Sequence, residues 1–180
     1  MEFVHPIRTK EQINQFKSFL KKKSARDYLL FVLEINTGMR INDLLTLKVH
    51  QVWDGIQPRE FLSVSTPIYL NTNVYIAIDN YLSTSSLHGE DYLFRTKNSG
   101  KPITRQQAYR IINHAAREIG MTDKVGIHTL RKTFGYHAYK QGIAISLIRD
   151  IYGHSSTSET LHYIGLNNEM PNSIKIDINL

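Results

Sequence analysis

A chain of 180 residues, 41% of them hydrophobic, is long enough to bury one core without disulfide or metal staples. It holds no cysteine, which excludes a thiol nucleophile and a thiolate metal site, and with no apolar run near the ~18–20 residues that cross a bilayer and no signal-peptide core at its start it is expected in the cytoplasm, away from any membrane. Lysine and arginine number 22 against 16 acids, a formal charge of +6 that favours a polyanionic partner through counterion release, an unspecialised basic surface being the plainer alternative.

Thr9 and Gln12 have the spacing of a capping box, and Ile13, Phe16, Phe19 and Leu20 then recur at helical intervals. This predicts an amphipathic helix from Lys10 to Phe19 or beyond, closed by Lys21, Lys22 and Lys23 as a basic end that suits the helix dipole or touches a polyanion. A second helix, Ala25 to about Asn36, carries the apolar run Tyr28 to Leu33, is expected to be buried, and stops before Gly38. Leu44, Leu45 and Leu47 suggest a short helix after that turn. Phe61-Leu62-Ser63-Val64 and Ile68-Tyr69-Leu70, separated by Ser65, Thr66 and Pro67, suggest a small antiparallel hairpin. Val74, Ala77, Ile78, Tyr81 and Leu82 form another helical stripe, followed by a loop over 83–89. Thr104 and Gln107 begin the clearest helix, with Ala108, Ile111, Ile112, Ala115 and Ile119 on one face and Gly120 as its stop. The last residues, Ser173 to Leu180, alternate at period two and are read either as a strand, added to this sheet or a neighbouring molecule's, or as a frayed tail. With no repeat, no low-complexity tract and no linker, the expectation is one mainly α (α+β) domain over 1–165 with a small antiparallel sheet, followed by a tail over 166–180.

Three segments carry chemistry: Thr37-Gly38-Met39-Arg40-Ile41-Asn42-Asp43, His128-Thr129-Leu130-Arg131, and Gly153-His154-Ser155-Ser156 with Tyr163 nine residues past that histidine. Singly, each has an ordinary explanation. An arginine after a turn is commonly a surface ion-pair partner, a histidine and arginine three apart merely share a helix face, and Tyr163 is one of ten tyrosines. Together, in this order and over this span, they resemble the two signature boxes of the tyrosine recombinase (phage integrase) family, with Thr160 and the acid Asp43 also matching. The resemblance covers about the whole chain.

That resemblance implies a helical catalytic domain that cuts and rejoins double-stranded DNA through a 3′-phosphotyrosine, acting as a homo-oligomer, a tetrameric synapse, without cofactor or metal. Tyr163 would be the nucleophile, and Arg40, His128, Arg131 and His154 the groups around the phosphate. The chemistry suits these residue types. Guanidinium stays charged and its fork matches two phosphate oxygens, which a lysine point charge does not. A phenol ionises near pH 10 when unperturbed, so it needs a positive field and a base to react near neutrality. His128 is placed to donate to the phosphate or to accept the tyrosine proton, and His154 to donate to a non-bridging oxygen. Asp43 is read as orienting Arg40 or as a helix-start aspartate favoured by the dipole. His137 and His162 are read as structural, with DNA contact as the alternative.

The sequence departs from the family in two places. Such enzymes carry a lysine in the hairpin turn as general acid for the leaving 5′-oxygen, yet no lysine lies between Lys48 and Lys97. They also place a helical core-binding domain ahead of the catalytic one, and this chain begins about where the catalytic domain starts. The rival readings are therefore a DNA-binding module of the same fold with impaired catalysis, and a topoisomerase-like nicking and closing enzyme.

Overall fold

The computed structural model describes residues 4–166. Over these residues the chain runs α1 (Lys10–Lys23), α2 (Ala25–Thr37), α3 (Ile41–Leu45), α4 (Val49–Val52), β1 (Phe61–Leu62), β2 (Ile68–Tyr69), α5 (Thr72–Leu82), α6 (Arg105–Glu118), α7 (Ile127–Lys140), α8 (Ile145–Tyr152) and α9 (Thr157–Tyr163). The mainly helical reading with one small antiparallel sheet holds. No described helix is long and apolar enough to cross a membrane, and no group of side chains among the described residues is arranged to hold a metal ion.

Local chemistry explains the first corner. Ser24 caps two helices at once: its N–H donates to the Leu20 carbonyl at the end of α1, and its hydroxyl accepts from the Asp27 N–H at the start of α2. One residue therefore turns the chain back on itself. In α2 every residue from Leu29 to Leu33 is buried, so the helix has no wet face over that stretch, and α1, α5 and α7 pack around it. Phe31 stacks on Phe16 of α1 with ring centroids 4.9 Å apart. Each such buried side chain stabilises the fold by about 1.5–3 kcal/mol relative to exposure.

The hairpin is shorter than its apolar pattern implies. Phe61 pairs with Tyr69 and Leu62 with Ile68, and there the ladder ends. Ser63 is diverted: its N–H donates to the Gln51 carbonyl, and its own carbonyl accepts from the Gln51 side chain. With both backbone groups committed to α4, Ser63 cannot extend β1.

Two hydrophobic cores result. The large one is centred on α2. The small one joins Ile148 and Tyr152 of α8 to Leu161, Ile164 and Leu166, with Phe134, Tyr136, Tyr139 and Tyr163 packed against it. α7 belongs to both, since Ile127 and Leu130 lie in the large core while its second half faces the small one. Residues 4–8, which the sequence pattern left unassigned, run along α7: Ile7 N–H donates to Thr133 Oγ1, Lys132 Nζ donates to the Val4 carbonyl, and His137 Nε2 meets the Ile7 carbonyl at 2.9 Å. The alternating segment 173–180 and all but the first residue of the expected tail lie outside the described residues.

Candidate active site

The first signature segment owes its shape to a glycine. Gly38 ends α2 in the left-handed region at φ 62°, and a Cβ there would also strike the ring of Phe134. The chain then turns so that Arg40 caps α3 and sends its guanidinium across to the end of α8, with Nη2 3.5 Å from the Tyr152 carbonyl. Arg131, from α7, reaches the same carbonyl at 3.2 Å, and its guanidinium carbon lies 4.5 Å from the centroid of the Tyr152 ring. Arg131 is only 8% exposed. Two like charges thus meet at one oxygen, held there by a helix C-terminus whose carbonyl dipoles favour cations.

Tyr152 is the hub of this arrangement. Its hydroxyl donates back to the Arg131 carbonyl, and its ring passes over Gly135 so closely that a Cβ there would collide with the ring, its hydroxyl and Ile164. Just past α8, His154 stands edge-on between Tyr152 and Tyr163, with centroids 5.3 and 5.1 Å away, and Nδ1 lies 3.1 Å from the buried Thr160 hydroxyl. Tyr163 closes α9. Its phenol oxygen lies 3.4 Å from His128 Nδ1, within the positive field of Arg131.

Arg40, His128, Arg131, His154 and Tyr163 therefore line one cleft of about 420 Å³. Asp43 does not join them. It is exposed in the first turn of α3, and no hydrogen bond or ion pair links it to Arg40 among the described residues. His162 is exposed, and His137 is used in holding Ile7.

Three residues that the motifs did not single out also belong to the site. Arg105, at the start of α6, lines the cleft and places Nη2 3.3 Å from His128 Nε2. Lys132 is buried, with Nζ 5.1 Å from the centroid of the Tyr163 ring. Glu34, from α2, lines the cleft while only 1% exposed, and its Oε1 has no hydrogen-bond partner. A glutamate amid Leu29 to Ile35 was the available sequence signal for the last, because a buried acid in an apolar run needs a reason.

The electrostatics follow from burial and cations. Burial raises the Tyr163 phenol above its ordinary value, with Arg131 pulling the other way. Burial first, then Arg105, Lys132 and Arg131, lower His128, so its imidazole is kept neutral. Burial also lowers His154, opposed by Glu159 and reinforced by Arg131 and Arg40. Glu34 is pushed well above the usual carboxylate range by burial, against the pull of Arg131. The arrangement suits an anion, because guanidinium donors, neutral imidazoles and a protonated phenol all face the cleft.

The sequence pattern of the phage integrase family matches residues 7–170. The chain is 37% identical to the probable integrase/recombinase YoeC of Bacillus subtilis (strain 168) over 174 residues, covering 94% of this chain and 93% of that protein. Other curated relatives are longer, and the chain spans about half the length of two tyrosine recombinases it matches. Among solved structures, the crystal structure of XerA recombinase superposes with a TM-score of 0.77 at 23% identity, covering 93% of this chain and 63% of that one. A lambda integrase dimer bound to a COC′ core site gives 0.68 at 17% identity, covering 98% and 65%.

Proposed function

The chain belongs to the phage integrase family, the tyrosine recombinases, and on that premise we propose that it is the domain that cuts and rejoins double-stranded DNA, with Tyr163 as nucleophile. The observation that carries this reading is the convergence of Arg40, Arg131, His128 and His154 around Tyr163 in one cleft. A phosphate there would be met by two forks, and the charge developing on its non-bridging oxygens at the pentacoordinate stage would find donors already in place. The Tyr163 oxygen attacks phosphorus, the bond to the 5′-oxygen breaks, and a 5′-hydroxyl leaves once protonated. The phosphotyrosyl ester keeps the reactivity of the broken bond, so a 5′-hydroxyl of another strand can reverse the step with no nucleotide cofactor. The lambda integrase structure, a dimer on its core site, supports double-stranded DNA as substrate and a homo-oligomer as the working form, for which the tetrameric synapse of the family is the natural extension.

A second reading is favoured by one observation. The turn between β1 and β2 holds no lysine, and none of its residues lines the cleft, so the leaving oxygen lacks the family's proton donor. A module that binds DNA but cleaves it slowly would look like this. A nicked suicide duplex separates the two. The parent protein should form a covalent adduct that Tyr163→Phe cannot form while still binding DNA. Replacing the 5′-bridging oxygen with sulfur, which leaves without protonation, should speed cleavage by something like the ~10²–10⁴-fold typical of a missing general acid. An adduct that persists in Tyr163→Phe would remove Tyr163 as nucleophile. No adduct on either substrate would leave the binding module as the account.

A further inference from the structure

His128 touches two groups through its two ring nitrogens. Nε2 faces Arg105 Nη2 at 3.3 Å, and Nδ1 faces the Tyr163 phenol oxygen at 3.4 Å. The two contacts are not independent. A guanidinium has five N–H donors and no acceptor, so a nitrogen in hydrogen-bond contact with it must present a lone pair. A neutral imidazole has only one lone pair and one N–H, so accepting at Nε2 places the proton on Nδ1. Nδ1–H then points at Tyr163, and the phenol oxygen is the acceptor.

We propose that Arg105 is a positioning residue for the strand-cutting reaction, which fixes His128 in its Nδ1–H form so that, before DNA binds, the imidazole donates to the nucleophile instead of taking its proton. The chemistry argues for this on its own terms. The ordinary preference of a neutral histidine in water is the opposite tautomer, so something must hold this one. Protonation of the ring would not serve, because Arg105 from α6 and Arg131 and Lys132 from α7 all face it with positive charge, while Tyr163 from α9 is neutral when protonated. The result is a poised but idle nucleophile: a phenol that keeps its proton while its oxygen accepts from His128.

The arrangement also contains its own release. Arg105 is exposed, at the rim of the cleft that Arg40 and Arg131 line, so its guanidinium is able to swing toward an incoming phosphate. An anion holds a guanidinium more strongly than a neutral imidazole does. Once Arg105 leaves Nε2, that nitrogen takes a proton from water and Nδ1 returns its own, with no net change in charge. Nδ1 is then a lone pair facing the phenol, and His128 becomes a base. Proton abstraction from Tyr163 is in this way conditional on a phosphate being present, which suits an enzyme whose nucleophile must attack only a correctly seated strand.

The role in cleavage rests on Tyr163 being the nucleophile, but the hydrogen-bond assignment does not, and the primary test needs no DNA. Imidazole ¹⁵N shifts of the whole protein, with His128 identified through His128→Gln, should show Nε2 unprotonated and Nδ1 carrying the proton at pH 8. In Arg105→Ala the ring should revert mainly to Nε2–H, and the pH at which it titrates should rise, because a facing cation is gone. Arg105→Lys should give an intermediate result, since an ammonium donates but lacks the fork. Arg105 is an exposed first-turn residue, so unchanged shifts of the remaining histidines serve as the folding control. A parent ring in the Nε2–H form, or one that Arg105→Ala leaves unchanged, overturns the proposal. If the tautomer behaves as stated while no Tyr163 adduct forms on any substrate, the positioning claim stands and the reading of Tyr163 fails instead.

Discussion

At the level of single residues the signature motifs led directly to five residues that share one cleft, because side chains proposed to meet one phosphate are constrained in type as well as place. What the motifs could not reveal was the company these residues keep. Arg105 reads as one of many exposed arginines, and only the tertiary contact between α6 and α7 brings it to His128. Glu34 reads as an anomaly in an apolar run until its burial under the cleft is seen. Its protonation has a measurable consequence. In the unfolded chain a glutamate ionises near pH 4.3, whereas burial holds Glu34 protonated well above that range. As pH rises from the unfolded value toward the raised folded one, the unfolded state loses its proton first, so it binds fewer protons and stability falls; below the unfolded value both states are protonated and nothing is lost. Glu34→Gln, which keeps the shape and removes the ionisation, should therefore match the parent near pH 4 and exceed it by a growing margin as the pH is raised to 8. Urea unfolding at both pH values tests this, and a difference that does not change with pH would remove Glu34 as its source.

Among the elements, those with strong local signals were readable and those made by packing were not. α6 begins at Thr104, whose hydroxyl accepts from the Gln107 N–H while the Gln107 side chain accepts from the Thr104 N–H, so the full capping box predicted from two letters is present. At α1 the box is half formed, because the Gln12 side chain accepts from the Thr9 hydroxyl and not from the Thr9 backbone. α8 and α9, with eight and seven residues, escaped sequence reading. Helices this short are marginal by propensity and are stabilised by the side chains they bury, here Ile148, Tyr152 and Leu161. The hairpin was read in kind but not in length, since the capture of Ser63 by Gln51 is a non-local event. The dependence of α8 on packing makes Gly135 a sensitive position. Gly135→Ala should cost about 1–3 kcal/mol in overpacking, although alanine is the better helix former. Because Tyr152 must move to make room, and its carbonyl holds both Arg40 and Arg131, adduct formation should fall more than the loss of folded protein explains. Denaturant midpoints measured beside adduct yields per folded molecule would decide the matter, and a variant that is stable and fully active would show that the Tyr152 carbonyl does not set the arginines.

For the molecule as a whole, the +6 charge supplies attraction to a polyanion, while the division into two cores decides what that attraction does mechanically. Arg40 is rooted beside the large core, Tyr163 and His154 beside the small one, and Arg131 stands on α7 where the two join. The cleft is thus a seam. The small core holds few buried side chains and should open locally at a lower free energy than the centre of α2, so amide hydrogens of α9 should exchange faster than those of Leu29–Leu33. A backbone phosphate seated in the cleft would be gripped from both sides of that seam. Duplex DNA should then slow exchange in α9 by a larger factor than in α2, and equal slowing in both would argue that the two cores already move as one. On this view the DNA is more than something to be cut: while it is bound it serves as the cross-brace of the domain, and Tyr163, the proposed nucleophile, is clamped most firmly when a strand lies before it.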